Sequence, residues 1–306
     1  MAPKQPPATI PMERLRARAL DSLQPLLTLA LDEDIGPGDL TSDVLIDTQA
    51  TACGDLLAKA HGVVAGLLFV APIIQRVDGR LQFEAVVEDG SPIKPGQVLG
   101  RIAGPVRALL TVERTLLNFL QALSGVATLT SQYVAKVAGT DVVILDTRKT
   151  TPGWRYLEKY AVRMGGGVNH RTGLHDGVLI KDNHLAVRAP NHVGETIAGL
   201  VREARQCIAP EIPIQVEVEQ IDYLEEVLAS QPDVVLLDNM AVPMIREAVV
   251  RRDRQFPGGG PALEASGGIG LENVRAIAET GVDRISIGAL THSAPILDIS
   301  LEVHRP

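Results

Sequence analysis

The spacing of apolar and polar residues changes at about residue 127, dividing the chain into two regions of different rhythm. Up to Val126, short apolar runs alternate with turn residues. "RLQFEAVVEDG" and "GQVLGRIAG" predict strands, joined by a turn at "DGSPIKPG" where Gly and Pro interrupt the extended pattern. "LLTVERTLLNFLQALSG" repeats its apolar residues at helical spacing, which predicts a helix from about Leu109 that ends near Gly125. Near the start, "MERLRARALDSL" predicts a surface helix, preceded by a Pro-rich tail, "MAPKQPPATIP", with too few apolar residues to order.

From Ala127 onward the rhythm is strand, loop, helix. Strand candidates are "DVVIL" (141–145), "GVLI" (177–180), "IPIQVEVE" (212–219), "DVVLL" (233–237), "PALEAS" (261–266) and "DRISIG" (283–288). Between several of them fall the helical patterns "ETIAGLVREARQCI", "DYLEEVLASQ", "VPMIREAVVRRDRQ" and "LENVRAIAETG", the last closed by Gly281 as a helix with a glycine cap would be. Repeated βα units of this kind imply an α/β fold with a parallel sheet, open or closed into a barrel. Polar residues follow five of the strands at their carboxyl ends: Asp146, Arg148 and Lys149; Lys181, Asp182 and His184; Asp238 and Asn239; Ser266, Gly267 and Gly268; and Gly288. Ligands bind at that end of the strands in α/β folds, and a ring of polar groups there suits a barrel mouth.

One strand departs from the all-apolar rule for parallel sheets. In "IQVEVE", Ile214, Val216 and Val218 share one face, and Gln215, Glu217 and Glu219 the other. Acids turned toward a sheet interior need a divalent metal or a neighbouring lysine; the alternative is an edge strand with a solvated face.

Charge sharpens the picture. The chain has 306 residues and a net charge of −8, so a general basic face for nucleic acid is excluded and any anionic ligand must be held by local cations. Such a concentration lies between Asp146 and Lys181, where Arg148, Lys149, Arg155, Lys159, Arg163, Arg171 and Lys181 face only Asp146, Glu158 and Asp176. "WRYLEKYAVR" accounts for some of these as a surface helix with helix-spaced ion pairs among Arg155, Glu158 and Lys159. Arg148, Lys149, Arg171 and Lys181 instead flank apolar strands or follow "MGGGVNH", whose glycine run lets the backbone approach a ligand or another segment closely. They fit a small ligand with more than one carboxylate or phosphate.

Cys53 and Cys207 lack metal-ligand spacing; they point to a reduced compartment and to two buried, small apolar side chains. No apolar leader and no membrane-length run are present, so the expectation is a cytoplasmic protein without membrane contact. Zinc motifs, a G-x-S-x-G elbow and a P-loop are missing. "ASGGIG", between a strand and "LENVRAIAET", fits a phosphate cradle of backbone N–H groups and a helix N-terminus. An anionic acceptor, a phosphorylated donor and Mg²⁺ held near Glu217 and Asp238 together point to phosphoribosyl-type transfer.

"LDTRKTTPGWRYLEKYAVRMGGGVNHRTGLHDGVLIKDNH" closely resembles a segment of the quinolinate phosphoribosyltransferase family. "EDIGPGDLTSD", "VERTLLNFLQALSGVAT", "VEVE", "VLLDN", "EASGGI" and "SIGALTHS" follow in that family's order, so the likeness runs from about Leu29 to Ile299. The resemblance implies an N-terminal α/β sandwich plus an incomplete, seven-stranded α/β barrel. In this chain the implied division is residues 1–27 as tail and helix, 28–126 as sandwich, 127–290 as barrel and 291–306 as a segment returning to the sandwich.

It also implies a homodimer with shared active sites, or a higher oligomer, acting on quinolinate and 5-phosphoribosyl-1-pyrophosphate with Mg²⁺ to give nicotinate mononucleotide, carbon dioxide and pyrophosphate. Arg114 (from the other subunit), Thr147, Arg148, Lys149, His170, Arg171 and Lys181 would contact quinolinate. Glu217 and Asp238 would sit near the ribose hydroxyls and the metal, bound directly or through water or substrate, and with Lys149 would be catalytic. Ser266, Gly267 and Gly268, with Ile287, Gly288 and Ala289, would hold the 5′-phosphate.

Two other readings remain: a paralogue using another acceptor such as nicotinate, and a carrier domain modified at Lys94, which lacks the hydrophobic or Met flanks usual there.

Overall fold

The computed structural model describes residues 10–188 and 193–305; the expected tail at residues 1–9 lies outside the described residues. Twelve strands are present among them. They are β1 Thr51–Ala58, β2 Gly62–Val63, β3 Gln82–Ala85, β4 Pro92–Ile93, β5 Val98–Pro105, β6 Val143–Leu145, β7 Val178–Ile180, β8 Ile214–Val218, β9 Val234–Asp238, β10 Ala262–Ser266, β11 Arg284–Ser286 and β12 Ile299–His304. The described residues divide into two compact units, one containing 11–131, 149–167 and 290–305, the other Ile10, 132–148, 168–188 and 193–289.

In the first unit β1, β3, β5 and β12 form an antiparallel sheet in the order β12-β1-β5-β3. The last strand of the chain thus pairs with the first, Leu56 opposite Leu301. Helix Met12–Ile35 buries Leu15, Ala19, Leu23, Leu27 and Leu31, a four-residue repeat that makes one apolar stripe. That stripe packs on helix Arg155–Met164. The latter is not the surface helix expected: Glu158 and Lys159 are 4% and 0% exposed. Its apolar neighbours Leu157, Tyr160, Ala161 and Val162 are buried as well. Glu158 accepts the Thr151 N–H at 3.1 Å, and Arg155 Nε donates to Thr150 Oγ1 at 3.1 Å, so these charges clamp the preceding loop.

The helix expected to end near Gly125 runs from Val106 to Lys136. Gly125 lies inside it because a Cβ there would collide with the Pro295 carbonyl; the glycine admits a crossing segment instead of ending the helix. The Gly165–Gly167 run serves the same purpose, since side chains at Gly165 and Gly167 would strike the Ala127 carbonyl and Thr130.

All six strand candidates after residue 127 appear in the second unit, as one parallel sheet ordered β6-β11-β10-β9-β8-β7. Consecutive strands from β7 to β11 are neighbours and the first, β6, pairs with the last. A doubly wound sheet would reverse its order midway; this winding is that of a barrel with a gap between β6 and β7. The seventh strand implied by the resemblance is here a single residue. Val168 N–H donates to the Ile144 carbonyl at 2.8 Å and its carbonyl accepts the Asp146 N–H at 3.2 Å, a lone parallel bridge with Leu145. It extends no further because Asn169 and His170 are drawn off the ladder by the Asp146 carboxylate.

Helices Val193–Cys207, Leu224–Ala229, Val242–Gln255 and Val274–Ala278 occupy the expected intervals. Cys207 is exposed, not buried, and Cys53 is half-buried. Cys207 ends a helix whose buried positions, Ile197 and Val201, lie on another face. Among the described residues no helix is long and apolar enough to cross a membrane.

Candidate active site

Parallel pairing puts in-register residues on the same face. Gln215 pairs with Val234, Glu217 with Leu236, Leu236 with Glu264, and Glu264 with Arg284. The acid face of β8 is therefore continuous with one face of the whole sheet, and β8 lies between β7 and β9, not at an edge. The charge on that face is compensated as the alternation demands. Lys181, just past β7, reaches Glu217 with Nζ–Oε2 2.5 Å. Glu264, fully buried, lies 3.1 Å from Arg284 Nε and 3.4 Å from His170 Nε2. Burial alone would raise the Glu264 pKa, but His170, Arg284 and the Ser286 hydroxyl outweigh it and hold the carboxyl down to about 2.

At the end of β6, buried Asp146 is consumed structurally: its carboxylate accepts the Asn169 amide at 2.7 Å and the His170 backbone N–H at 2.8 Å. His170 Nδ1 in turn accepts the Arg171 N–H at 2.8 Å, so the ring proton sits on Nε2, toward Glu264. Arg171 Nη1 donates to the Gly177 carbonyl at 2.8 Å. Its guanidinium pKa is lowered, first by burial and then by the like charge of Arg148. Asp146 thus seats the His170–Arg171 pair, and Arg148 and Arg171 share one electrostatic neighbourhood. A small cavity of about 30 Å³ is lined here by His170, Arg171, Gln215 and Arg284, among others.

At the carboxyl end of the same face lie the acids and the glycine loop. Glu217, Glu219 and Asp238 each offer a carboxylate oxygen, all within 4.8 Å of one another. Three hard oxygen donors suit Mg²⁺, so the donor set fits the implied metal. After β10, Gly267 and Gly268 adopt φ of +87° and +60°, values natural for glycine, which turn the loop back beside Asn239. Asn273 braces the loop, accepting the Gly270 N–H at 2.9 Å and donating to the Gly268 carbonyl at 3.0 Å. The following helix starts only at Val274 and is five residues long, so the helix N-terminus expected directly after the glycine loop is not there. Past β11, Ile287 is buried and its N–H donates to the Leu145 carbonyl at 2.9 Å, while Gly288 and Ala289 are half-buried.

The second unit therefore brings together Asp146, Arg148, His170 and Arg171 around one strand end, and Lys181, Glu217 and Asp238 around another. Thr147 lies between Asp146 and Arg148. Lys149 and Arg114, both exposed, belong to the first unit; Lys149 has its carbonyl held by Thr291 Oγ1 at 2.7 Å. Glu264 and Arg284 were not singled out in the sequence, where Glu219 was read only as part of the acid face and Asn239 only as a polar strand-end residue. For Glu264 the signal was present, an acid in an apolar strand pattern; Arg284 is revealed only by the register, and the role of Asn239 only by its contacts.

The family model for "Quinolinate phosphoribosyl transferase, C-terminal domain" matches residues 126–302, and that for the N-terminal domain matches residues 39–124. The nicotinate-nucleotide pyrophosphorylase [carboxylating] of Mycobacterium leprae is 44% identical over 92% of this chain and 98% of its own length. A probable enzyme of the same name from Bacillus subtilis is 41% identical over 92% and 93%. The solved structure of the nicotinate-nucleotide pyrophosphorylase from Francisella tularensis superimposes with a TM-score of 0.84 at 36% identity, covering 93% of this chain and 96% of that one. With both domain models matched in order across these strands and loops, the chain belongs to the quinolinate phosphoribosyltransferase family.

Proposed function

We infer that the chain transfers the phosphoribosyl group of 5-phosphoribosyl-1-pyrophosphate to the ring nitrogen of quinolinate and removes one carboxyl group, giving nicotinate mononucleotide, carbon dioxide and pyrophosphate. One observation carries this beyond the family likeness. Lys181, a cation suited to the acceptor, is ion-paired to Glu217, an acid suited to the donor, on the sheet face that also bears the glycine loop.

Quinolinate has two adjacent carboxylates. Arg148, Arg171 and Lys181 supply the charge to hold both, with Thr147 beside them, and His170 seats the backbone of Arg171. An ammonium has three N–H donors, so Lys181 can bind Glu217 and still offer donors to a carboxylate. A mono-anion such as nicotinate leaves part of that charge unmatched, at a cost of about 2–5 kcal/mol for a buried charged contact.

As the bond from C1 of the ribose to pyrophosphate lengthens, positive charge builds on the sugar, and the clustered carboxylates of Glu217, Glu219 and Asp238 would stabilise it. Glu217 and Asp238, with Glu219, would hold Mg²⁺, which when bound offsets the negative charge of the pyrophosphate group. The Ser266–Gly268 turn, with the Gly288–Ala289 backbone, would take the 5′-phosphate. Once the ring nitrogen carries the sugar it is cationic. The C2–carboxylate bond then breaks, its electron pair stays at C2 beside that nitrogen, and a proton replaces the carbon dioxide.

Lys149 and Arg114 keep the roles that the resemblance implies, Lys149 as a catalytic residue at quinolinate and Arg114 supplied by a second copy in a homodimer. The setting we propose is the cytoplasm. Incubation with the donor, Mg²⁺ and either quinolinate or nicotinate tests the reading. Mononucleotide from quinolinate alone is expected, and preferential turnover of nicotinate would refute it.

A further inference from the structure

Asn239 follows Asp238 at the end of β9, and its backbone has φ 53°, in the left-handed region that asparagine tolerates better than most residues with a side chain. The turn keeps the ordinary ladder bond, the Asn239 N–H donating to the Ser266 carbonyl at 2.9 Å to complete the Asp238–Ser266 pair. It also aims the side chain two ways. Nδ2 donates to Asp238 Oδ2 at 2.9 Å, while Oδ1 lies so close to Gly267 that a Cβ on that glycine would collide with it. An exposed residue after a strand needs neither the left-handed backbone nor a side chain held at both ends. Left-handed backbone and a side chain shared between two elements together mark a position held for its geometry.

We propose that Asn239 is a positioning residue that fixes the Asp238 carboxylate relative to the Ser266–Gly268 loop, so that the pentose and the 5′-phosphate of the donor are gripped as one rigid unit; this rests on the functional reading above. The amide holds one oxygen of Asp238 and leaves the other to the ligand. Its carbonyl oxygen, filling the space beside Gly267, sets how near the loop stands to that acid. Asn239 touches no reacting atom and acts through Asp238 and the loop.

Two substitutions separate this role from simple packing. Asn239→Gly keeps the backbone conformation and removes the side chain; Asn239→Asp keeps size and shape but replaces the donor to Asp238 with a second carboxylate. Loss of a hydrogen bond to a charged group corresponds to roughly a tenfold effect or more. Both variants should raise KM for 5-phosphoribosyl-1-pyrophosphate, and the inhibition constant of ribose 5-phosphate, by about that factor. KM for quinolinate should stay within about twofold, because the acceptor cations are untouched. Donor KM and ribose 5-phosphate inhibition at wild-type values would overturn the proposal. So would equal rises of both KM values with a lowered unfolding temperature, the signature of a structural role alone. Wild-type protein assayed alongside keeps the failures apart: no quinolinate turnover by it sinks the functional reading and this inference with it, whereas unchanged variants beside an active wild type sink the inference alone.

Discussion

Glu264 is the most buried charge on the sheet face, and its removal should be the most informative perturbation of that face's stability. The carboxylate is 0% exposed, with Arg284 Nε at 3.1 Å and His170 Nε2 at 3.4 Å. Replacing it by leucine leaves the Arg284 guanidinium buried without its countercharge, which costs about 3–5 kcal/mol. A second route gives the same scale: a carboxyl lowered from 4.5 to about 2 on folding stabilises by about 3 kcal/mol at neutral pH, at about 1.4 kcal/mol per unit. Because the folded value is the lower one, that contribution is complete above pH 4.5 and is lost as pH falls toward 2. Urea unfolding of the wild type, Glu264→Leu, Arg284→Met and the double variant, at pH 7 and pH 3, is the assay. Each single variant should lose about 3–5 kcal/mol at pH 7, whereas the double variant, with neither charge, should lie within about 2 kcal/mol of wild type or above it. The wild type should lose stability between the two pH values and Glu264→Leu should lose less. Additive losses in the double variant would refute the idea that these charges compensate each other.

Lys181→Met should raise KM for quinolinate at least about tenfold, since it removes a cation from the acceptor and strands Glu217; an unchanged KM in steady-state assays would place the acceptor elsewhere. Gly125→Ala should destabilise the protein by about 1–3 kcal/mol with little effect on kcat, because its Cβ meets the backbone of Pro295, and denaturant midpoints will show it. Arg114→Ala and Lys149→Ala should each abolish activity, and mixing them with subunit exchange should restore about a quarter of wild-type turnover, as expected if each site draws on two copies. Silent mixtures with exchange demonstrated by mass spectrometry would argue against a shared site.

Much of this architecture was legible in residue spacing. The six parallel strands are short apolar runs bounded by turns, and each run is found within a few residues of its expected place. The acid face of β8 was legible too, because an unpaired interior carboxylate is too costly to keep; of the two remedies the sequence left open, a metal or a lysine, the structure shows Lys181 beside Glu217. What misled were residues whose role depends on a distant partner. Gly125 has the look of a helix terminator, but the chain needs its missing side chain to admit residue 295, 170 positions away in sequence. Glu158 and Lys159 have the spacing of surface ion pairs, yet the helix carrying them is buried on both sides of its apolar stripe. Asn239 is an ordinary loop asparagine until its φ, its bond to Asp238 and its contact with Gly267 are seen together.

The central claim, that a cationic pocket receives a dicarboxylate and the sheet's acid face drives its ribosylation, is tested most directly by following quinolinate labelled with ¹³C in the 2-carboxyl group. The prediction is one labelled carbon dioxide and one pyrophosphate released for each nicotinate mononucleotide formed, only with the donor present. A mononucleotide that retains the label, or labelled carbon dioxide released without pyrophosphate, would contradict it.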